Sequence, residues 1–288
     1  MALSVAELEA RREWLGSSDI PALLGVDRYR NLGDLFLEKT GRTEVNVTTN
    51  PAADWGDRLE PVMCEWVSER LGMEVARGEH RSSDDGLLRA QLDGFVTESG
   101  ETVEVKTSGL LNPRFNAERE GWGADGTDDV PFRVVAQVQF ALMLAGAPRG
   151  HVAAFLGGGA GPRHYVIEAM PELQSEIERR ARAFWTEHVL TGVQPEEIPS
   201  VDTLKWVIRV PEKVAYLDFD SNLADDWEAA KGAESEAKSE MEAVKAKVLH
   251  ALGDAEELQS PFGTWSYYAN KRGVRSLRFT GRQTTTNE

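Results

Sequence analysis

The 288-residue sequence has a single cysteine, Cys64. That excludes internal disulfides, a four-cysteine zinc site and a four-cysteine iron–sulfur cluster, and it fits a reducing compartment. Basic residues are also in short supply: 32 Lys and Arg stand against 48 Asp and Glu, a formal net charge of −16. Such a balance argues against a general nucleic-acid coat protein, though not against local contacts with DNA. No stretch approaches the roughly 20 apolar residues of a membrane span. The first dozen residues mix Glu7, Glu9, Arg11 and Arg12 with apolar side chains, so no targeting segment and a cytoplasmic location are expected. No repeat of fixed period is present. The composition, 41% hydrophobic and 28% charged, is that of an ordinary globular chain of one large or two smaller domains.

What is present is organised by its turns. Ser17-Ser18-Asp19 ahead of Ile20-Pro21-Ala22-Leu23-Leu24-Gly25 reads as a capped, short helix, and Asn31 caps a second that closes at Gly41. Trp55, Leu59, Val62, Met63, Trp66, Val67 and Leu71 recur at three- and four-residue intervals and predict a helix over about 54–71. Residues 73–80, 87–92, 94–97 and 102–107 predict consecutive, mostly antiparallel strands. The Gly- and Asp-rich stretch 108–130 predicts a long mobile loop. A helix over 131–144, strands over 151–156 and 164–169, and a helix from Pro171 to about Leu190 follow. The stretch 192–199 suggests a boundary between a domain of residues 1–198 and an extension of residues 199–288. The extension opens with a charged helix over 223–252. Its seam of Trp227, Ala230, Ala237, Met241, Val244, Val248 and Leu252 resembles a helical-hairpin or coiled-coil face. A β-hairpin over 262–279 turns at Asn270-Lys271-Arg272-Gly273.

The acid excess is densest in residues 51–110, with six basic and 13 acidic side chains. Within it lies the sharpest constellation, Asp93-Gly94 followed by Glu104-Val105-Lys106. Glu104 and Lys106 project from one face of a strand, and a turn brings Asp93 beside them. Two carboxylates on adjacent strands, with the Val105 carbonyl as a further ligand, make a hard-oxygen site suited to Mg²⁺ or Mn²⁺. Lys106 would orient an attacking water and stabilise charge developing on a phosphate. A structural salt bridge between Glu104 and Lys106 accounts for the same pattern. Glu60, one turn after Gly56, supplies a third carboxylate or is an exposed helix residue. Gln137 and Gln139 lie two apart on a helix, so they point in different directions and one faces a site while the other does not.

These residues resemble, in order over roughly residues 10–195, the YqaJ-type viral recombinase family, the lambda-exonuclease-like branch of the PD-(D/E)XK nucleases. Leu15-Gly16-Ser17-Ser18-Asp19-Ile20, Leu35-Phe36-Leu37-Glu38-Lys39-Thr40-Gly41, Trp55-Gly56 with Glu60-Pro61, Leu92-Asp93-Gly94, Glu104-Val105-Lys106-Thr107 and Gln137-Val138-Gln139 carry the resemblance. Leu92 stands where a proline often precedes the first aspartate. The resemblance implies an α/β (α+β) restriction-endonuclease-like core, a central mixed sheet flanked by helices, with a helical and β-hairpin extension behind it. It implies that Asp93, Glu104 and the Val105 carbonyl bind the catalytic metal with Glu60 assisting. Lys106 would act on the water, and Gln139, with Gln137, would line the site. Ser18 with Arg11 or Arg12 would hold the 5′-terminal phosphate of DNA. It further implies a phage recombination exonuclease that digests linear double-stranded DNA from the 5′ end and leaves 3′ overhangs for a single-strand annealing protein. A ring-shaped homo-oligomer, such as a trimer, belongs to the same picture.

An endonuclease of the same fold and a non-catalytic DNA-binding or scaffolding protein are the competing readings. The extension has its own two readings. Lys271, Arg272, Arg275, Arg278 and Arg282 beside Trp265, Tyr267, Tyr268 and Phe279 suit a grip on DNA, or else the aromatic residues pack the hairpin on the long helix.

Overall fold

The computed structural model describes residues 4–45, 51–216 and 221–281. The chain forms two compact units, residues 1–210 and 211–288. In the first, α1 (Val5–Ala10) and a turn of 3₁₀ helix precede β1 (Leu15–Gly16), a second 3₁₀ turn (Ser17–Asp19), α2 (Ile20–Leu23), α3 (Leu32–Lys39) and α4 (Pro51–Leu71). Then come β2 (Val75–Ser82), β3 (Leu88–Val96), β4 (Thr102–Ser108), α5 (Phe132–Ala145), β5 (Arg149–Leu156), β6 (Gly161–Glu168), α6 (Pro171–Phe184) and α7 (Val201–Leu204). Local chemistry sets several ends. Asn31 and Asp34 cap α3 reciprocally, each side chain taking the other's backbone N–H at 2.9 Å. Gly146 closes α5 in the left-handed region, φ 63°.

Six strands make one mixed sheet. β4 and β5 run parallel, with Glu104 opposite Val152 and Lys106 opposite Ala154, and β5 pairs antiparallel with β6. β3 pairs along its length with β2. Its other edge is shared: β1 takes Leu88 and Arg89, and β4 takes Gly94 and Phe95. Residues 90–93 therefore lie where β3 and β4 diverge. Helices cover both faces. Met63 and Val67 of α4 pack on Val96, Val103 and Ala153. Val134, Val138 and Leu142 of α5 pack on Val152, Ala154 and Tyr165, and a third cluster joins Leu15, Ile20, Phe36, Leu88, Phe140 and Ile177.

Several expectations are corrected. The strands expected over 87–92 and 94–97 are one strand, β3, so Asp93 lies inside it and the turn comes later, around Gly100. Trp55 and Val62, expected on the buried seam of α4, are exposed, and the buried positions are Met63, Cys64 and Val67. The loop after β4 has no helix or strand but is anchored. Trp122 is buried against Tyr165, whose hydroxyl donates to the Gly123 carbonyl at 2.9 Å. The division between units falls after Val210 rather than at 198, because the intervening chain is tied to α3 and its flank. Ser200 N donates to Asp34 Oδ1, Asn31 Nδ2 donates to the Ile198 carbonyl, and Thr43 bridges Val207.

In the second unit, α8 (Leu223–Leu252) precedes a three-stranded antiparallel sheet of β7 (Glu257–Ser260), β8 (Gly263–Ser266) and β9 (Arg278–Gly281). The expected hairpin thus gains a strand. The seam of α8 is not a buried one, since Trp227, Met241 and Val244 are exposed and Leu252 alone of the helix is buried.

A buried polar chain crosses β4–β6: Arg149 and His151 Nε2 hold Glu101, and His151 Nδ1 meets His164 Nε2 at 3.0 Å. Burial, with the neighbouring His151 ring, pushes the His164 pKa down to about 4. The folded state therefore keeps His164 neutral while the unfolded chain takes up a proton below about 6.5. Stability from this group is complete above that pH and is lost as pH falls toward 4, by about 3 kcal/mol. Urea midpoints measured from pH 7.5 to 4.5 should fall more steeply for the wild type than for His164→Asn.

Candidate functional site

Asp93 sits at the divergence of β3 and β4. Its Oδ2 accepts the Val105 N–H at 2.8 Å, so the side chain spans a gap that the backbone ladder leaves open. Gly94 follows because α4 and β2 press on it. A Cβ there would stand 2.9 Å from Val75 Cγ1 and 3.2 Å from Cys64 Sγ. At Gly56 the approach is looser, since a Cβ would make only one contact, 3.4 Å from Thr107 Oγ1.

Lys106 Nζ lies 2.5 Å from Glu104 Oε1, with both side chains largely shielded. Burial raises the Asp93 pKa to about 8, and Glu104 and Glu60 add to the effect while Lys106 and the Val105 N–H oppose it. Glu60 is likewise raised, by burial and by acids that include Glu104. Burial works against the charge on Lys106, yet Glu104 and Asp93 hold its ammonium above the ordinary value. Cys64 is pushed up to about 12 by burial, then by Asp93 and Glu60, so it is an inert thiol packed beside the site.

Asp93 and Glu104 thus lie beside one ammonium, with Glu60 near enough to add to the repulsion, and burial together with this crowding favours the protonated form of Asp93. The oxygen donors suit a hard divalent cation, whose charge would relieve the repulsion. Among the described residues, no three or more His, Cys, Asp or Glu side chains are gathered as a ready metal cage. The donor set that fits is Asp93, Glu104 and the Val105 carbonyl, with Glu60 on α4 as their electrostatic neighbour.

A cavity of about 880 Å³ is lined by Arg11, Arg12, Ser18, Arg30, Lys39 and Gln137, among others. Arg11 donates to Ser18 Oγ at 2.9 Å, whereas Arg12 is engaged by Glu9 and the Thr43 carbonyl. The wall is built on Asp19. This buried carboxylate meets Lys39 Nζ at 2.7 Å, Arg30 at 3.2 Å and the Gly16 N–H at 3.0 Å. Lys39 also donates to the Arg11 and Trp14 carbonyls, and Arg30 to the Ser18 carbonyl. Burial opposes charge on Asp19, but Lys39 and Arg30 hold its carboxyl below the ordinary range.

The sequence-predicted residues separate accordingly. Asp93, Glu104, Val105 and Lys106 come together with Glu60 nearby, and Ser18, Arg11, Arg12 and Gln137 line the cavity. Gln139 does neither, which corrects the expectation that it lines the site. It is fully buried, donates to the Glu168 carbonyl at 2.7 Å, and accepts from Met170 N at 2.8 Å and Gln174 Nε2 at 3.0 Å. It fastens the β6–α6 connection. Arg30 and Lys39 were missed as cavity residues. The signal was Asp19, an acid in an apolar setting that requires cations. Arg133, on the first turn of α5 and one turn before Gln137, is also new; its charge acts on Lys106.

Residues 8–148 match the model of the YqaJ-like viral recombinase domain. Over that span, about half of its length, the chain is similar to the YqaJ-like viral recombinase family. Over 264 residues it is 25% identical to the uncharacterized protein YqaJ of Bacillus subtilis (strain 168), covering 85% of this chain and 77% of that one. Among solved structures it is similar to an alkaline exonuclease from Laribacter hongkongensis (18% identity, 62% of this chain and 90% of that one, TM-score 0.48). It is also similar to a phage-related exonuclease from Haemophilus somnus 129PT (12% identity, 62% and 94%, TM-score 0.48).

Two substitutions separate scaffold from site. Gln139→Leu removes a buried amide that bonds three partly buried polar groups and should cost about 1–3 kcal/mol in urea unfolding, with turnover per folded molecule unchanged. Asp19→Asn leaves Lys39 and Arg30 without their buried counter-charge and should cost about 3–5 kcal/mol.

Proposed function

We propose that this YqaJ-like domain is a divalent-metal-dependent exonuclease that hydrolyses linear double-stranded DNA from the 5′ end. The observation that carries the reading is the convergence of Asp93, Glu104 and Lys106 where β3 and β4 part, on a chain similar to a viral recombinase family. Asp93, Glu104 and the Val105 carbonyl would hold Mg²⁺ or Mn²⁺, with Glu60 assisting. When bound, the ion supplies Lewis-acid polarisation of the phosphodiester and a more acidic water.

The remaining roles fall to the chain itself. Asp93 stays fixed through its bond from Val105 N, so its free oxygen keeps one direction. Lys106 is held by Glu104 at the mouth of the same strands, where its ammonium orients water and offsets negative charge as the phosphorus accepts the nucleophile. Ser18 and Arg11 form a ready pair of donors for a terminal phosphate, backed by Arg30 and Lys39, and Gln137 adds an amide. Anchoring the end in this way sets digestion from that end. The exposed 3′ strand would pass to a single-strand annealing protein, and a ring-shaped homo-oligomer around the DNA would keep the enzyme on its track. The setting would be the cytoplasm of a host cell. Among the described residues no helix is long and apolar enough to cross a membrane.

Linear duplex labelled at its 5′ end should release label with Mg²⁺ and none with EDTA, while closed circular duplex persists. Cleavage of the circle would instead assign an endonuclease of the same fold. Lys106→Ala and Asp93→Asn should each lower digestion per folded molecule about 10²–10³-fold. Asp93→Asn, which removes a crowded charge, should leave unfolding unchanged or improved, whereas Lys106→Ala, which strands Glu104, should destabilise. Arg11→Ala should reduce the preference for 5′-phosphate over 5′-hydroxyl ends by about tenfold or more, the size of a charge-assisted hydrogen bond.

A further inference from the structure

The second unit carries a surface that the nuclease reading does not use. From Pro261 to Gly281 the chain has four cations, Lys271, Arg272, Arg275 and Arg278, and no acid, within a protein of net charge −16. All four are exposed. They gather at one end of the three-stranded sheet. Ser266 pairs with Arg278, Ala269 bridges Arg275, and the tip is locked by Asn270 Oδ1, which accepts the Arg272 and Val274 N–H groups at 2.9 and 3.0 Å. Arg275 reaches Glu256 at 3.4 Å and stands over the Tyr267 ring at 5.9 Å; among the described residues the other three have no acidic partner within salt-bridge distance. Aromatic rings share this end: Tyr268 is 49% exposed, and Phe279, 48% exposed, lies tilted against Trp265 with centroids 4.5 Å apart.

Uncompensated cations on a fixed turn attract a polyanion, and half-exposed rings beside guanidinium groups offer flat faces to unstacked bases. A duplex hides those base faces, and an acidic peptide has none. We infer that the loop end of the β7–β9 sheet binds single-stranded nucleic acid through Lys271, Arg272, Arg278 and the Tyr268 ring. The inference stands apart from the nuclease reading, because binding is measured without metal and without digestion.

The test is fluorescence anisotropy of the full chain with fluorescein-labelled oligo(dT) of about 20 nucleotides in EDTA. Lys271→Glu with Arg272→Glu should weaken binding at least tenfold and reduce the steepness of log K against log salt by about 1.4, two phosphate contacts on a single strand. Lys238→Glu, the same charge reversal on α8, should leave affinity unchanged. Tyr268→Ala should weaken binding severalfold, whereas Tyr268→Phe, which also loses the hydroxyl bond to Glu257 but keeps the ring, should not. The inference is overturned if the turn variants bind as the wild type does, or if Lys238→Glu weakens binding equally. It is also overturned if polyglutamate competes as well as unlabelled oligo(dT), or if duplex of equal length binds more tightly and ignores Tyr268→Ala.

Discussion

The Asp93 carboxylate takes the N–H of Val105 where an unbroken ladder would have used a backbone carbonyl. Much of the first unit is arranged around that substitution of side chain for main chain. β3 must leave β4 after Gly94 and Phe95 so that its upper half can meet β1, which carries the Ser18 turn. The divergence creates a cleft, and a buried N–H in a cleft has to be satisfied. An acid is the residue that both closes the gap and leaves an oxygen free. The cost is electrostatic, since burial makes Asp93 hard to ionise and Glu104, with a smaller effect from Glu60, adds to it. Lys106 offsets one charge only. The same side chain that bridges the two strands thus concentrates acid where they part.

The cavity wall solves the opposite problem. Arg11, Arg30 and Lys39 are brought close to one another, and Asp19 keeps them there from within the protein. Replacing such a buried pair by apolar residues would be no loss to stability in general. Its use here is geometric. Lys39 spends its hydrogens on the Arg11 and Trp14 carbonyls, and Arg30 on the Ser18 carbonyl, so the segment from Arg11 to Asp19 is fastened at three carbonyls.

What could be read in the sequence was local chemistry. The Asn31 cap, the Gly146 stop and the shared face of Glu104 and Lys106 follow from rules that span a few residues, and the structure has each of them. Asp93 was placed beside Glu104 for an incomplete reason. A break was expected at Asp93-Gly94, whereas Gly94 is there to admit Cys64 and Val75 against a continuous strand. Gln137 and Gln139 show the limit more sharply. Two-residue spacing says that they diverge, but which one meets the cavity depends on how α5 lies on β6 and α6, and no periodicity within α5 contains that. Likewise the link after residue 198 looked like a boundary by composition, and only Asp34 and Thr43, far earlier in the chain, tie it down. The α8 seam has helical spacing without burial, because spacing describes a face and not what covers it.

The cations of this acidic chain fall into two kinds, and the difference bears on how it would handle a polyanion. Those of the cavity are mostly matched: Lys39 by Asp19, Arg30 by Asp19 and Glu38, and Arg12 by Glu9, while Arg11 is held by the Ser18 hydroxyl. A matched cation contributes little long-range attraction, because its field is cancelled within a Debye length. It contributes donors in fixed positions, whose bonds depend on geometry and persist at high salt. Lys271, Arg272 and Arg278 are unmatched, exposed and on a turn, so their attraction is long in range, indifferent to sequence and sensitive to salt. Matched cations on the turn would lose their pull against a net charge of −16. Fixed donors lining a cavity and unmatched cations on an exposed turn are thus two distinct ways in which an acidic protein carries its positive charge.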